Sequence, residues 1–139
     1  MKIILQDKNQ FVIRFDKDEE VLEGLQTFMK EQAISACAFF GVGACSSVEL
    51  AYYNTYVKVW RKKPFIENLE ILSITGNGAL KDGETIIHAH GVFGKNDFTT
   101  IGGHLFKLVV SVTCEISLIK LDGALERQPS SDPNLNLLV

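Results

Sequence analysis

The sequence holds three histidines, at positions 88, 90 and 104, and all of them fall in the short stretch from Ile86 to Leu105. Alternate side chains of an extended strand share a face, so His88 and His90 point one way and Ala89 the other. Gly94-Lys95-Asn96-Asp97 has the polar composition that folds a strand back on itself. A turn centred near Asn96 sets His104 opposite His88 and Gly102 opposite His90, with all three rings on one face. Gly102 and Gly103 predict a bulge or a close backbone approach that leaves room beside His90 for an ion and a small ligand. Three neutral imidazoles suit zinc, with copper, nickel or iron also compatible, and such a site keeps a fourth position open for water. Hydrogen-bonded structural histidines are the competing expectation.

Hydrolase or lyase chemistry at such an ion needs a carboxylate to handle protons, and the candidates on core-like strands are Glu70 and Glu115. The sequence does not choose well between them, and for each a surface-facing or salt-bridged glutamate is the favoured competing reading. Glu115 lies within the apolar run Val109 to Leu121, where an unpaired carboxylate is costly, so a partner is expected. Phe40-Gly41-Val42-Gly43-Ala44-Cys45 carries Gly-x-Gly after a strand but lacks the third glycine and the opening helix of a dinucleotide loop. A tight buried turn is expected there instead. Gly94-Lys95 likewise lacks the rest of a phosphate-binding loop.

The elements that must position the histidines follow from apolar periodicity. Lys2 to Leu5 and Phe11 to Phe15, around Asp7-Lys8-Asn9-Gln10, read as a short hairpin. A helix follows, capped by Asp16 or Asp18, with Asp18 to Glu20 in its first turn and Val21, Leu22, Leu25, Phe28 and Met29 as its core-facing stripe. Ala36 to Phe40 reads as a buried strand and Ser47 to Tyr53 as an alternating one. Asn54-Thr55 turns the chain into Tyr56 to Arg61, and Pro64 breaks it before a strand from about Leu69 to Leu80. Lys81-Asp82-Gly83-Glu84 is a hairpin signal into the histidine strand, and a last long strand spans about Leu108 to Leu121. Successive antiparallel hairpins with one good helix predict an α+β fold, a curved, barrel-like, mostly antiparallel sheet covered by one main helix. The tail Gln128-Pro129-Ser130-Ser131-Asp132-Pro133 is turn-rich, and Leu135, Leu137, Leu138 and Val139 predict a short docked strand after it.

A length of 139 residues with 46% hydrophobic content predicts a single domain with a real core. No apolar run reaches the roughly 20 residues needed to span a bilayer, and Met1 to Gln10 lacks the pattern of a signal peptide, so a cytosolic protein without membrane contact is expected. Cys37, Cys45 and Cys114 form an odd set without Cys-x-x-Cys, which fits a reducing compartment and buried packing roles. A formal charge of −3 gives no global attraction to polyphosphate. DNA contact would need the local patch Lys58, Arg61, Lys62 and Lys63 around Trp60 and Tyr56, for which a solvated loop is the competing reading.

Several segments carry a resemblance. They are Glu19-Glu20-Val21-Leu22-Glu23, Phe39-Phe40-Gly41-Val42-Gly43-Ala44 with Ser47 to Tyr53, and Leu69-Glu70-Ile71-Leu72-Ser73-Ile74-Thr75-Gly76-Asn77. Lys81-Asp82-Gly83, His88-Ala89-His90 and Gly102-Gly103-His104-Leu105 complete the set. Across nearly its whole length the chain resembles the PPC domain of plants and prokaryotes. The resemblance implies a mostly antiparallel α+β fold, a homotrimer as in prokaryotic members, and a wider structural kinship with acetolactate decarboxylase. That enzyme holds zinc with a comparable His-x-His and a later His, which supports His88, His90 and His104 as metal ligands without transferring an activity. Plant members join the domain to a DNA-gripping AT-hook; this chain has no Arg-Gly-Arg hook and is acidic overall. The expectation is therefore a homotrimer with a three-histidine metal site in a small-molecule pocket, against a DNA-binding-like regulator or protein-assembly module without catalysis.

Overall fold

The structure, a computed structural model, describes residues 1–132 and 134–139; Pro133 of the turn-rich tail lies outside the described residues. The chain runs β1 (Lys2–Asp7), β2 (Gln10–Asp16), α1 (Val21–Glu31), β3 (Cys37–Asn54), β4 (Val59–Phe65), β5 (Leu69–Lys81), β6 (Glu84–Gly94), β7 (Thr100–Lys120), β8 (Arg127–Pro129) and β9 (Asn136–Leu138). Strands β1 to β7 form one antiparallel sheet in the order β1-β2-β7-β6-β5-β3-β4, and β3 also pairs with β7. That extra pairing bends the sheet into a curved, partly closed ring of β3, β5, β6 and β7, the expected α+β architecture. No helix among the described residues is long and apolar enough to cross a membrane.

Helix α1 covers the inner face with the expected stripe: Val21, Leu22, Leu25, Phe28 and Met29 are all buried. Phe28 meets Phe11 of β2 edge to face, ring centroids 5.2 Å apart. The cap differs from expectation. Glu20 is the N-cap, its carboxylate accepting from Glu23 N at 2.6 Å. Asp16 is still in β2 and is held by Lys2 and Arg14, while Asp18 occupies a turn with φ 69°. The residue immediately before Val21, Glu20, is the one that reaches the first turn.

Three breaks expected in the chain are absent, each because a neighbouring strand supplies hydrogen bonds that local composition does not reveal. The segment Gly41–Cys45 is not a turn but the middle of the 18-residue strand β3, where the register slips on either side of Gly43. A Cβ at Gly43 would lie 2.2 Å from the Thr113 carbonyl oxygen, so glycine here lets β7 approach and the strand bend. Pro64 lies inside β4, opposite Glu49; β4 ends the sheet, and an edge position tolerates the missing donor. Strand β7 begins at Thr100 instead of near Leu108. Strand β4 starts at Val59 instead of Tyr56, because Thr55–Lys58 forms the turn, with Asn54 Oδ1 accepting from Tyr56 N and Val57 N.

The Asp82-Gly83 hairpin forms as expected, with φ 53° and 81° at its two central residues. The predicted C-terminal strand is β9, docked against β8, which sequence periodicity did not reveal.

Candidate metal centre

Ala89, Gly91 and Phe93 of β6 face the core, so His88 and His90 lie on the outer surface of the sheet. Strand β7 brings the third ring to them, in a register two residues from the expected one. His90, not His88, stands opposite His104, and Val92, not His90, stands opposite Gly102. The loop Lys95–Thr99 sets this register. Lys95 N donates to Thr99 O at 2.9 Å, and Asp97 Oδ1 accepts from the Thr99 hydroxyl at 2.6 Å and from its amide at 3.0 Å, which centres the loop on Asp97. A slip of two residues keeps every side chain on its face, so the three imidazoles still converge. The expected close approach is present: a Cβ at Gly103 would lie 2.9 Å from the Ala51 carbonyl oxygen.

Nitrogen atoms of His88, His90 and His104 lie within 4.8 Å of one another, and Nε2 of His88 is 3.3 Å from Nε2 of His90. Tetrahedral zinc with Zn–N bonds of about 2.05 Å requires ligand nitrogens about 3.3 Å apart. The His88–His90 pair already has that spacing, and the His104 nitrogen lies within 4.8 Å of both. Both half-buried rings are kept neutral. Burial first, then His88 and His90, Lys62 and Arg127, pushes His104 down to about 4, and burial followed by Arg127 and His90 lowers His88. A neutral imidazole is the form that coordinates a metal.

The surroundings of the rings were not legible in the sequence. Arg127, at the start of β8, is 7% exposed; it donates from Nη2 to Asn77 Oδ1 at 2.7 Å and from Nη1 to Asn136 O at 2.9 Å. Its Nη2 also lies 3.3 Å from Nδ1 of His88. Trp60 of β4 tilts over His104 with centroids 4.6 Å apart, and Phe106 packs against both rings. Between these side chains and the tail is a cavity of about 400 Å³ lined by Trp60, Lys62, His88, His104, Phe106 and Arg127. In the sequence Trp60 stands out only as part of a basic cluster, and nothing in Ala124-Leu125-Glu126-Arg127 marks the arginine. Its position depends on the tail folding back over β6.

The two candidate carboxylates lie elsewhere. Glu70 is exposed and pairs with Gly94 and Ala44; along β5 it is five residues from Thr75, the partner of His90, or roughly 16 Å at strand spacing. Glu115 is exposed and stands opposite Arg14 and Val42, on the half of β7 far from His104. The structure brings neither to the histidines. Arg61, Lys62 and Lys63 are exposed on edge strand β4, with the Lys62 ammonium 3.6 Å from the Phe106 ring centroid. Cys37, Cys45 and Cys114 are buried free thiols, as expected.

Residues 4–122 match the Plants and Prokaryotes Conserved (PCC) domain. Among solved structures, a metal-containing protein from Archaeoglobus fulgidus is 33% identical with a TM-score of 0.88, over 100% of this chain and 99% of that one. A protein from Bacteroides thetaiotaomicron, provisionally described as DNA-binding, is 24% identical with a TM-score of 0.93, over 97% of this chain and 94% of that one. Alpha-acetolactate decarboxylase from Bacillus subtilis is 16% identical with a TM-score of 0.57, over 87% of this chain and 56% of that one, a likeness of fold alone. No curated protein sequence matches.

Proposed function

The chain belongs to the Plants and Prokaryotes Conserved domain family, and we propose that it is a cytoplasmic homotrimer whose His88, His90 and His104 hold a divalent transition metal, zinc first, in a small-molecule pocket. The observation that carries the reading is the 3.3 Å separation of the His88 and His90 Nε2 atoms on the face that also presents His104. A metal with three protein ligands and an open position would supply Lewis acidity and a water of lowered pKa. Burial and neighbouring cations hold the His88 and His104 rings neutral, and Trp60, Phe106 and the tail wall the open side.

Self-association is supported by outward apolar side chains on the ring strands: Phe40 and Val42 of β3, Leu72 of β5, Val92 of β6 and Val112 of β7 are all exposed. The cytoplasmic placement is supported by three free cysteines, which suit a reducing compartment. The test is elemental analysis of untagged protein purified without chelator, with mass measured by sedimentation. About one metal per chain, lost in His88→Ala and His104→Ala, is expected; metal-free wild type, or unchanged metal in both variants, refutes the site.

A second reading has its own observation, the exposed row Arg61, Lys62 and Lys63 along edge strand β4. A DNA-contacting role through this row requires retention on duplex DNA that weakens steeply with salt and disappears when the three are neutralised.

A further inference from the structure

Arg127 is a cation 93% removed from solvent, and among the described residues no carboxylate lies within salt-bridge distance of it. All its partners are neutral: Asn77 Oδ1, Asn136 O and His88 Nδ1. Nε is buried without a partner. Guanidinium does not deprotonate in proteins, so the charge persists. Buried charges are ordinarily paired, because desolvating an ion without a counter-charge is strongly unfavourable.

Nothing in the cavity that Arg127 lines offsets its charge: among the described residues no aspartate or glutamate lines it. Lys62, its other cationic residue, has a partner in Glu49 at 3.5 Å, and the rest of the wall is mainly apolar, with Trp60, Phe106 and Leu137 beside the neutral side chains of Asn134 and Asn136. A counter-charge for Arg127 would have to come from outside the chain, from a group small enough for about 400 Å³ and apolar enough to lie on aromatic rings.

We propose that this cavity binds a small organic monocarboxylate, its carboxylate between Arg127 and Lys62 and its apolar body against Trp60 and Phe106. The inference rests on the histidine-faced pocket proposed above and names the ligand class of that pocket. A planar guanidinium matches a carboxylate, and charge-assisted hydrogen bonds in a half-enclosed site are the strong ones. The mostly apolar wall favours a monoanion with a hydrocarbon body over inorganic phosphate.

The test is calorimetric titration with benzoate, its neutral isostere benzamide, and inorganic phosphate, on zinc-loaded and on chelator-treated protein. Benzoate should bind at least about tenfold more tightly than benzamide or phosphate, Arg127→Met should lose about tenfold or more, and Arg127→Lys should retain part of the affinity. Benzamide or phosphate binding as tightly as benzoate overturns the proposal, as does a folded Arg127→Met with wild-type benzoate affinity. If Arg127→Met does not fold, Lys62→Met and the benzoate–benzamide comparison on wild type decide, with several-fold weaker benzoate binding expected in Lys62→Met. Protein that takes up no zinc yet binds benzoate through Arg127 refutes the metal reading alone. Zinc uptake without selective benzoate binding refutes the carboxylate site alone.

Discussion

Arg127 approaches His88 through a donor: Nη2 lies 3.3 Å from Nδ1, and since arginine has no acceptor, Nδ1 must accept. The neutral His88 ring then carries its proton on Nε2, the nitrogen that faces His90. A metal-ligating histidine normally has the reverse arrangement, with its second nitrogen protonated and donating to an acceptor. Coordination through Nε2 therefore breaks the Arg127 bond, and the guanidinium charge opposes the incoming cation as well. Arg127→Met should bind zinc more tightly than wild type, by about tenfold or more, in competition against a chromophoric chelator. Equal or weaker zinc binding refutes the assignment. The same variant is expected to lose benzoate affinity, and general misfolding would not produce opposite signs for the two ligands.

Much of this site was legible because parity is robust. Placing His88, His90 and His104 on one face needed only the two-residue repeat of a strand and a turn somewhere near Asn96, and the two-residue error in register left that conclusion intact. The helix stripe and the Asp82-Gly83 turn were legible for the same reason, since each is a local pattern with a local cause. Arg127 and Asn77 meet through a contact 50 positions apart, which depends on how the tail crosses the sheet. Gly41–Cys45 and Pro64 look like breaks in the sequence because turn composition and close strand packing use the same residues, and partner strands decide between them.

Glu20 links the helix to the strand that carries His104. Its Oε2 caps α1 through Glu23 N at 2.6 Å, and its Oε1 accepts from Leu108 N of β7 at 2.8 Å. Glu20→Ala removes the cap and orphans the Leu108 amide, so urea denaturation should show a loss of about 2–3 kcal/mol. Glu20→Gln keeps one acceptor oxygen and should lose about half as much. Equal losses in the two variants would show that only one of the bonds matters.

Gly43 of β3 stands opposite Cys114 of β7, and a Cβ there would meet backbone, 2.2 Å from Thr113 O and 2.7 Å from Cys114 Cα. Backbone atoms cannot rotate away as a side chain would. Gly43→Ala should therefore destabilise by about 1–3 kcal/mol through forced strand separation. Gly83→Ala is the control: its φ of 81° strains alanine, but nothing lies within 4 Å of the added carbon. Its loss should be smaller, and an equal or larger one would show that crowding between β3 and β7 is not the cause.

Burial pushes the thiol of Cys37 up to about 11 and those of Cys45 and Cys114 up to about 12, so the reactive thiolate is scarce at neutral pH. A chromogenic disulfide reagent should label none of the three within minutes in the native protein and all three in denaturant. Rapid labelling of any one without unfolding contradicts its packing.

The tail that carries Asp132 is tied to the sheet by the Tyr53 hydroxyl, which donates to Asp132 Oδ2. Tyr53 lies against Trp60, whose indole N–H donates to Asn134 O at 3.4 Å. Trp60 is the sole tryptophan, so its emission reports tail docking. The Tyr53 hydrogen bond holds Asp132 below the usual carboxylate value, and burial together with Asp132 raises Tyr53 to about 12. For the lowered carboxylate the unfolded tail binds the proton first, so docking free energy is full above the ordinary aspartate value of 3.8 and falls with pH below it. For the raised phenol the unfolded chain loses its proton first, so the contribution is full below about 10 and disappears as pH rises through about 12. Trp60 emission should therefore stay flat across neutral pH and shift at both extremes, and Tyr53→Phe should flatten the part of each shift that this pair causes. Superimposable wild-type and Tyr53→Phe profiles would mean that another contact holds the tail over the histidine pocket.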